Sequence, residues 1–527
     1  MSQMLKSSGA MAGATMTSRL LGMVREMAYA WFMGGGWVAG AFQVAFAIPN
    51  LFRRLLGEGA LTAAFIPLFK EKERTAGEAE MWRAANAVIS GLLAAAAALI
   101  LLVLLGLSAT LALHQFEPRV ELMLRLLRWM FPYMLLVCLA AVFMGMLNAR
   151  GHFFVPAMGA TMLNVVMIGS VFLLAPRWGT GLPQQIFALA VGVLVAGLAQ
   201  TAFQLPWLGQ EGFRYHWVSP WRNETVREVL RRMVPGAIGV AAFQINVVVV
   251  QNLGLVLGSA NEPIIAPFNY SVRLMELPQG VFGISLATYL LPTLAGLAAE
   301  KNYPEFRANL RQAAGHLLLV NLLAAALLVV LAEPIIRLIY QRGKFGPADT
   351  LETAFALQCL GASLVGYSLV NIFARAFYAL GDTRTPMKIS IVCLAVNLAF
   401  ALILVFPLRQ GGFGLANTAS SSLNCGLLLF ALRKKLKILE LAPLRASLAP
   451  MAGATLAAAA VAWISLRFWS RHFGHAHLGF KIAEVFVPAT AAALVYGAIT
   501  LALKVPSAWE MLDLVVGRIG RSRTGGG

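Results

Sequence analysis

Charge is scarce in this chain. Of its 527 residues 12% are charged, against about 25% in a soluble protein, while 59% are hydrophobic and the mean hydropathy is +0.74. That composition excludes a soluble enzyme, a small secreted domain and a disordered tail. Acids are rarer still. Three aspartates, Asp349, Asp382 and Asp513, lie far apart, so no DDxxD-type cluster exists to hold Mg²⁺ for polyprenyl-phosphate chemistry. The four cysteines, Cys138, Cys359, Cys393 and Cys425, are equally dispersed in apolar runs. None forms a CxxC pair, which argues against a zinc or redox motif. No metal site, cofactor or catalytic residue is expected.

What the chain does have is long apolar runs. A bilayer crossing takes about 20 apolar residues, and a window of that length finds crossings near 9–34, 38–69, 84–113, 122–148, 155–176, 185–209 and 230–258. Seven more follow near 263–298, 313–341, 351–380, 387–408, 411–432, 446–468 and 481–503. Without period-two alternation these runs satisfy their backbone as helices and not as barrel strands. The N-terminal run is broken by Arg19 and Arg25 and continues directly into the next. It therefore reads as a first membrane helix and not a cleaved leader. The fold class expected is an all-α polytopic membrane protein of about fourteen transmembrane helices.

Basic residues set its orientation. The chain holds 42 Lys+Arg against 23 Asp+Glu, a net charge of +19. Such an excess can signal nucleic acid, but these charges fall in loops, where the positive-inside rule puts them. The N-terminus, the loops after even-numbered spans and the C-terminal tail carry about 25 of them and the other loops about eight. Both termini are thus expected on the cytoplasmic side, with no nucleic-acid partner.

An internal repeat divides the chain. LTAAFIPLF from Leu61 resembles LATYLLPTL from Leu286, and MLNARGHFFVP from Met146 resembles AFYALGDTRTP from Ala376. Both offsets displace the chain by six spans, which preserves sidedness and relates the halves by an axis along the membrane normal. The expected lobes are 1–215 and 216–437, each of six helices. Two extra C-terminal helices occupy 438–505, and 506–527 is a basic, glycine-rich, disordered cytoplasmic tail.

Nine arginines fall inside or at the ends of these runs: Arg19, Arg25, Arg53, Arg54, Arg125, Arg128, Arg273, Arg337 and Arg375. Each would cost roughly 2.5–3.5 kcal/mol in lipid, so each needs water, a counter-charge or a ligand. Arg125, Arg128 and Arg337 lie near span ends and Arg375 near the cytoplasmic end, where they can snorkel to the interface. Arg54 with Glu58, and Arg273 with Glu276, have spacings at which one helix neutralises its own charge. Arg19, Arg25 and Arg53 lack such a partner, since Glu26 is adjacent to Arg25 and is not expected to share its face. A cationic cavity formed by the first, second and eighth spans accounts for them. Guanidinium grips phosphate oxygens through paired donors, so the expected ligand is a phosphate or diphosphate. Gly34, Gly35 and Gly36 at the first turn suit either a hinge or close helix packing.

These residues carry a likeness. TSRLLGMVRE from Thr17, AFQVAFAIPNLFRRLLGEGALTAAFIPLF from Ala41, NYSVRLMELPQGVFGISLATYLLPTL from Asn269 and RAFYALGDTRTPMK from Arg375 resemble the lipid II flippase family (MurJ, or MviN) of the multidrug, oligosaccharidyl-lipid and polysaccharide exporter superfamily. The resemblance implies a bacterial inner-membrane carrier that flips lipid II, the undecaprenyl-diphosphate-linked peptidoglycan precursor, to the periplasmic leaflet by alternating access. It maps the substrate-binding residues of a central cavity onto Arg19, Arg25, Arg53, Arg54, Glu58 and Arg273, and makes the last two helices a groove for the lipid tail. Lipid II, membrane lipids and the cell-wall synthesis machinery are the implied partners of a monomer. Two departures bear on mechanism. Gly40 stands where many relatives carry aspartate, which weighs against an acid gate there. Spans seven, eleven and twelve hold no acid, which weighs against the sodium coupling of some relatives.

The rival readings are a flippase or exporter of another polyprenyl-linked saccharide or of cationic drugs, an intramembrane polyprenyl-phosphate enzyme, and a structural scaffold. A drug–proton antiporter would want buried acids. His472, His475 and His477 share one loop with no acid close by, and read as loop residues and not a metal site.

Overall fold

A computed structural model describes residues 2–53, 61–221, 223–259, 262–437, 439–440 and 442–513. Its regular secondary structure is helical throughout, as the composition requires. Contacts divide the chain into two compact units, Met1–Ala266 with Arg342–Phe345, and Pro267–Gln341 with Gly346–Gly527. The first division falls beyond residue 215 because the helix Glu224–Leu257, which the repeat assigns to the second lobe, packs on helices of the first unit.

The first unit contains α1 (Ser2–Met33), α2 (Trp37–Phe52), α3 (Leu61–Leu113), α4 (Pro118–Met130), α5 (Tyr133–Ala149), α6 (Phe154–Gly169), α7 (Leu182–Gln210) and α8 (Glu224–Leu257). Gly77, at φ 84° and ψ 176°, breaks α3 within its charged stretch, between the apolar runs 61–69 and 84–113. Pro132 separates α4 from α5, which meet at 46°. The second unit contains α9 (Ile265–Pro278) from Pro267 on, α10 (Ser285–Ala299), α11 (Tyr303–Val330), α12 (Ala332–Ile339), α13 (Pro347–Gly361) and α14 (Ser363–Ala379). It ends with α15 (Arg384–Leu408), α16 (Gln410–Leu436), α17 (Ala442–His472) and α18 (Leu478–Ala502).

Among the described residues eight helices are long and apolar enough to cross a bilayer, or ten when the bent pairs α4–α5 and α13–α14 each count once. Shorter apolar helices, Trp37–Phe52, Gln244–Leu257 and Tyr289–Ala299, fall within other expected spans. Length and apolarity alone do not reach fourteen, although every expected segment contains helix.

The repeat is visible in both cores. In the first unit Phe65, Phe69, Val142, Phe143, Met146 and Leu147 share one buried cluster. In the second, Leu290, Leu294, Ile372, Phe373, Ala376 and Phe377 occupy the matching positions of another. The turn after each is built alike. Gly151 and Gly381 take φ 88° and 73°, a left-handed conformation that costs glycine little. The next amide then reaches back five residues: His152 N donates to Leu147 O, and Asp382 N to Phe377 O, both at 2.9 Å.

The last two helices dock on the second unit. Met451, Ala454, Ala458 and Ala462 form a buried stripe on α17 against Leu318 and Leu319 of α11, the small side chains allowing close helix approach. Tyr496 of α18 donates to Leu319 O at 2.8 Å. Arg337, expected to snorkel, is instead held inside: its side chain is 11% exposed and pairs with Glu333 and, at 2.8 Å, with Glu484 of α18, itself 2% exposed. A carboxylate from another helix was within reach, so the charge had no need of the interface. Of the tail expected to be disordered from 506, residues 506–513 are instead helical, because Ala508 finds a buried place in the α17–α18 cluster, and those from 514 onward lie outside the described residues.

Candidate functional site

Three of the expected arginines lie on α1 and α2. Arg25 is held from several sides. Its Nη1 donates to Asn164 Oδ1 of α6 at 3.0 Å, its Nη2 meets Glu26 at 2.5 Å, and the guanidinium lies 5.5 Å from the Tyr29 ring centre. The pairing with Glu26 corrects the sequence expectation. Adjacent residues project about 100° apart on a helix, but the arginine is long enough to turn back along the helix surface to its neighbour. Both side chains are largely buried, at 13% and 10% exposure, where a bare charge is costly and a paired one is tolerated.

Arg53, at the end of α2, donates through Nε to Asn50 Oδ1 at 2.8 Å. Arg25, over the Tyr29 ring, and Arg53, at the end of the helix that carries Phe42 and Phe46, flank one aromatic region of the first unit that ends on the buried Tyr133 of α5. Tyr29, Phe42, Phe46 and Tyr133 run through it as successive ring contacts of 5.7, 6.2 and 5.9 Å. The Tyr133 hydroxyl also donates to Gln200 of α7 at 3.4 Å.

Arg19 is not part of that region. It is exposed and has no ion-pair partner among the described residues. Six residues separate it from Arg25, which turns it about 120° away around the helix. Arg54 and Glu58 lie outside the described residues. Arg273 belongs to α9 of the second unit, where it is 44% exposed and pairs with Glu276 at 2.8 Å, as its i,i+3 spacing allows.

Two features were missed in the sequence. Asn164 uses both ends of its amide on α1, accepting from Arg25 and donating to Ser18 O at 3.1 Å; it is 5% exposed. An asparagine inside an apolar run is the one signal that could have pointed to it, because a buried amide needs partners. Gly40 has a packing role: a Cβ there would stand 2.5 Å from Ile265 Cγ2. The space an acid would fill is taken by isoleucine.

The arrangement supplies fixed positive charge among aromatic and amide groups in a largely apolar setting. Among the described residues it offers donors to an anion and no nucleophile–base pair. The family model for the lipid II flippase MurJ matches residues 29–483. A protein of Haemophilus influenzae named "Probable lipid II flippase MurJ" is 32% identical over 444 residues, covering 80% of this chain and 84% of its own. One of the same name from Rhizobium meliloti is 35% identical over 439 residues, covering 81% and 80%. A solved structure titled as lipid II flippase MurJ in an inward closed conformation shares the fold with a TM-score of 0.76 at 22% identity, over 94% of this chain and 99% of that one.

Proposed function

Since the chain belongs to the lipid II flippase MurJ family, we propose that it is a transporter, not an enzyme, carrying lipid II from the cytoplasmic to the periplasmic leaflet of the bacterial inner membrane by alternating access. The observation that carries the site assignment is the largely buried Arg25 guanidinium, held by Asn164 and Glu26 beside the aromatic row that runs from Tyr29 to Tyr133. Guanidinium stays ionised and presents forked donors that match diphosphate oxygens, and a low-dielectric surround strengthens the attraction. Arg19, exposed and unpaired among the described residues, meets the incoming headgroup. Arg54, Glu58 and Arg273 join the assignment on the family resemblance.

The Glu26 carboxylate keeps Arg25 compensated when no lipid is bound, and an arriving phosphate takes over that role. The polyprenyl tail stays in lipid, with α17 and α18 as its groove. Lobes of six helices at 1–215 and 216–437, cytoplasmic termini, a monomeric state and association with the cell-wall synthesis machinery complete the reading, supported by the repeat and the Lys/Arg distribution. Membrane potential can bias the cycle, since one charge moved through 100 mV is worth about 2.3 kcal/mol. The rivals, another polyprenyl-linked cargo or an intramembrane enzyme, gain nothing from the family match.

The test is lipid II translocation by Arg25→Ala, Arg53→Ala and Arg273→Ala in proteoliposomes. Loss of flipping with retained folding supports the assignment. Wild-type flipping in all three refutes it.

A further inference from the structure

Away from these arginines, the end of α3, the C-terminal half of α4 and the start of α7 flank an open hollow of about 420 Å³, lined among others by Ser108, Leu111, Arg125, Arg128, Trp129 and Phe187. Arg125 and Arg128 are one helical turn apart on α4, so both charges face one space and repel. Glu121, a turn earlier, pairs with Arg125 at 2.5 Å. Arg128 is half-buried and has no ion-pair partner among the described residues, which leaves the cavity with a net positive charge.

Its surroundings are those of a membrane boundary. Trp129 is 43% exposed with its ring edge-on to Phe187 at 6.1 Å, and tryptophan gathers at the headgroup level. Leu101, Leu102 and Leu105 of α3 leave a row of exposed aliphatic side chains further along that helix. On the orientation proposed above, the connection between α3 and α4 is periplasmic, so arginines here run against the positive-inside bias. Arg125 is exposed and Arg128 half-buried, and both line the hollow together with a serine hydroxyl.

We propose that this cavity binds the headgroup of an anionic glycerophospholipid of the outer leaflet. Arg125 and Arg128 hold its phosphate, Ser108 donates a further hydrogen bond, and the acyl chains lie along the α3 leucines. Forked guanidinium donors suit phosphate oxygens, and basic hollows between membrane helices are suited to lipid headgroups. The site goes beyond the transport reading: its test measures retained phospholipid and not flipping, so either can fail alone.

The experiment is native mass spectrometry of the full chain in detergent, titrated separately with phosphatidylglycerol, phosphatidylcholine and inorganic phosphate. The wild type should hold one phosphatidylglycerol more tightly than phosphatidylcholine, and millimolar phosphate should not displace it. The Arg125→Gln/Arg128→Gln pair should weaken that binding by about fivefold for each charge removed. Ser108→Leu, which fills the hollow and keeps both charges, should also weaken it without lowering the melting temperature. The Arg125→Lys/Arg128→Lys pair should retain it, which separates lost charge from lost folding. Undiminished phosphatidylglycerol binding by the glutamine pair, equal binding of phosphatidylcholine, or displacement by free phosphate would each overturn the proposal.

Discussion

The Arg25 guanidinium donates to the Asn164 carboxamide at 3.0 Å, across 139 residues of sequence. That bond ties the charge proposed to meet diphosphate to a helix on which no charge sits.

Asn164→Ala should therefore lower lipid II flipping about tenfold, since a hydrogen bond to a charged group is worth about 1.5–3 kcal/mol. It removes the partner of Ser18 O as well, so translocation must be read beside the melting temperature. A fall in flipping no larger than the loss of folded protein would count against a positioning role.

Gly40→Asp should destabilise the chain by about 1–3 kcal/mol, because the new Cβ meets Ile265 Cγ2 at 2.5 Å. Adding Ile265→Ala should recover part of the loss. Thermal unfolding of the two single variants and the double variant measures the coupling, and strict additivity would contradict the contact.

The pH dependence of the turn between α14 and α15 follows from Asp382. The Lys435 ammonium, 2.6 Å away, and Thr385 hold its carboxyl down at about 2. Its stabilising contribution is complete above the ordinary carboxyl value near 4 and is lost as pH falls toward 2. Asp382→Asn should cost about 1 kcal/mol at neutral pH and flatten the acid limb of the stability profile. An unchanged acid limb would show that the carboxylate contributes nothing.

Glu484→Ala should loosen α18 by about 3–5 kcal/mol, as expected when one partner of a buried ion pair is removed. Replacing the pair with Arg337→Met and Glu484→Leu should restore most of it. Protease accessibility of the connection between α17 and α18 reports the difference, and equal protection in all three proteins would contradict it.

Much of this was legible in the sequence. Apolar run length marked the helical segments, and the repeat between 146–156 and 376–386 pointed to two related halves, in which the structure shows matching cores and matching left-handed glycines. The arginines of α1 and α2 announced themselves as charge in an apolar run. What the sequence hid was partnership. Glu26 is adjacent to Arg25 in sequence, Asn164 carries no charge, and Glu484 lies 147 residues from Arg337. Side-chain reach and contacts between distant helices decide such pairs, and neither leaves a periodic trace.

The central claim, that guanidiniums of α1 and α2 hold the diphosphate, is tested most directly by measuring lipid II affinity beside that of an analogue lacking the diphosphate, in wild type, Arg25→Ala and Arg53→Ala. The account predicts that wild type prefers lipid II, and that both variants bind lipid II more weakly while binding the analogue as wild type does. Lipid II affinity unchanged by either substitution would contradict it.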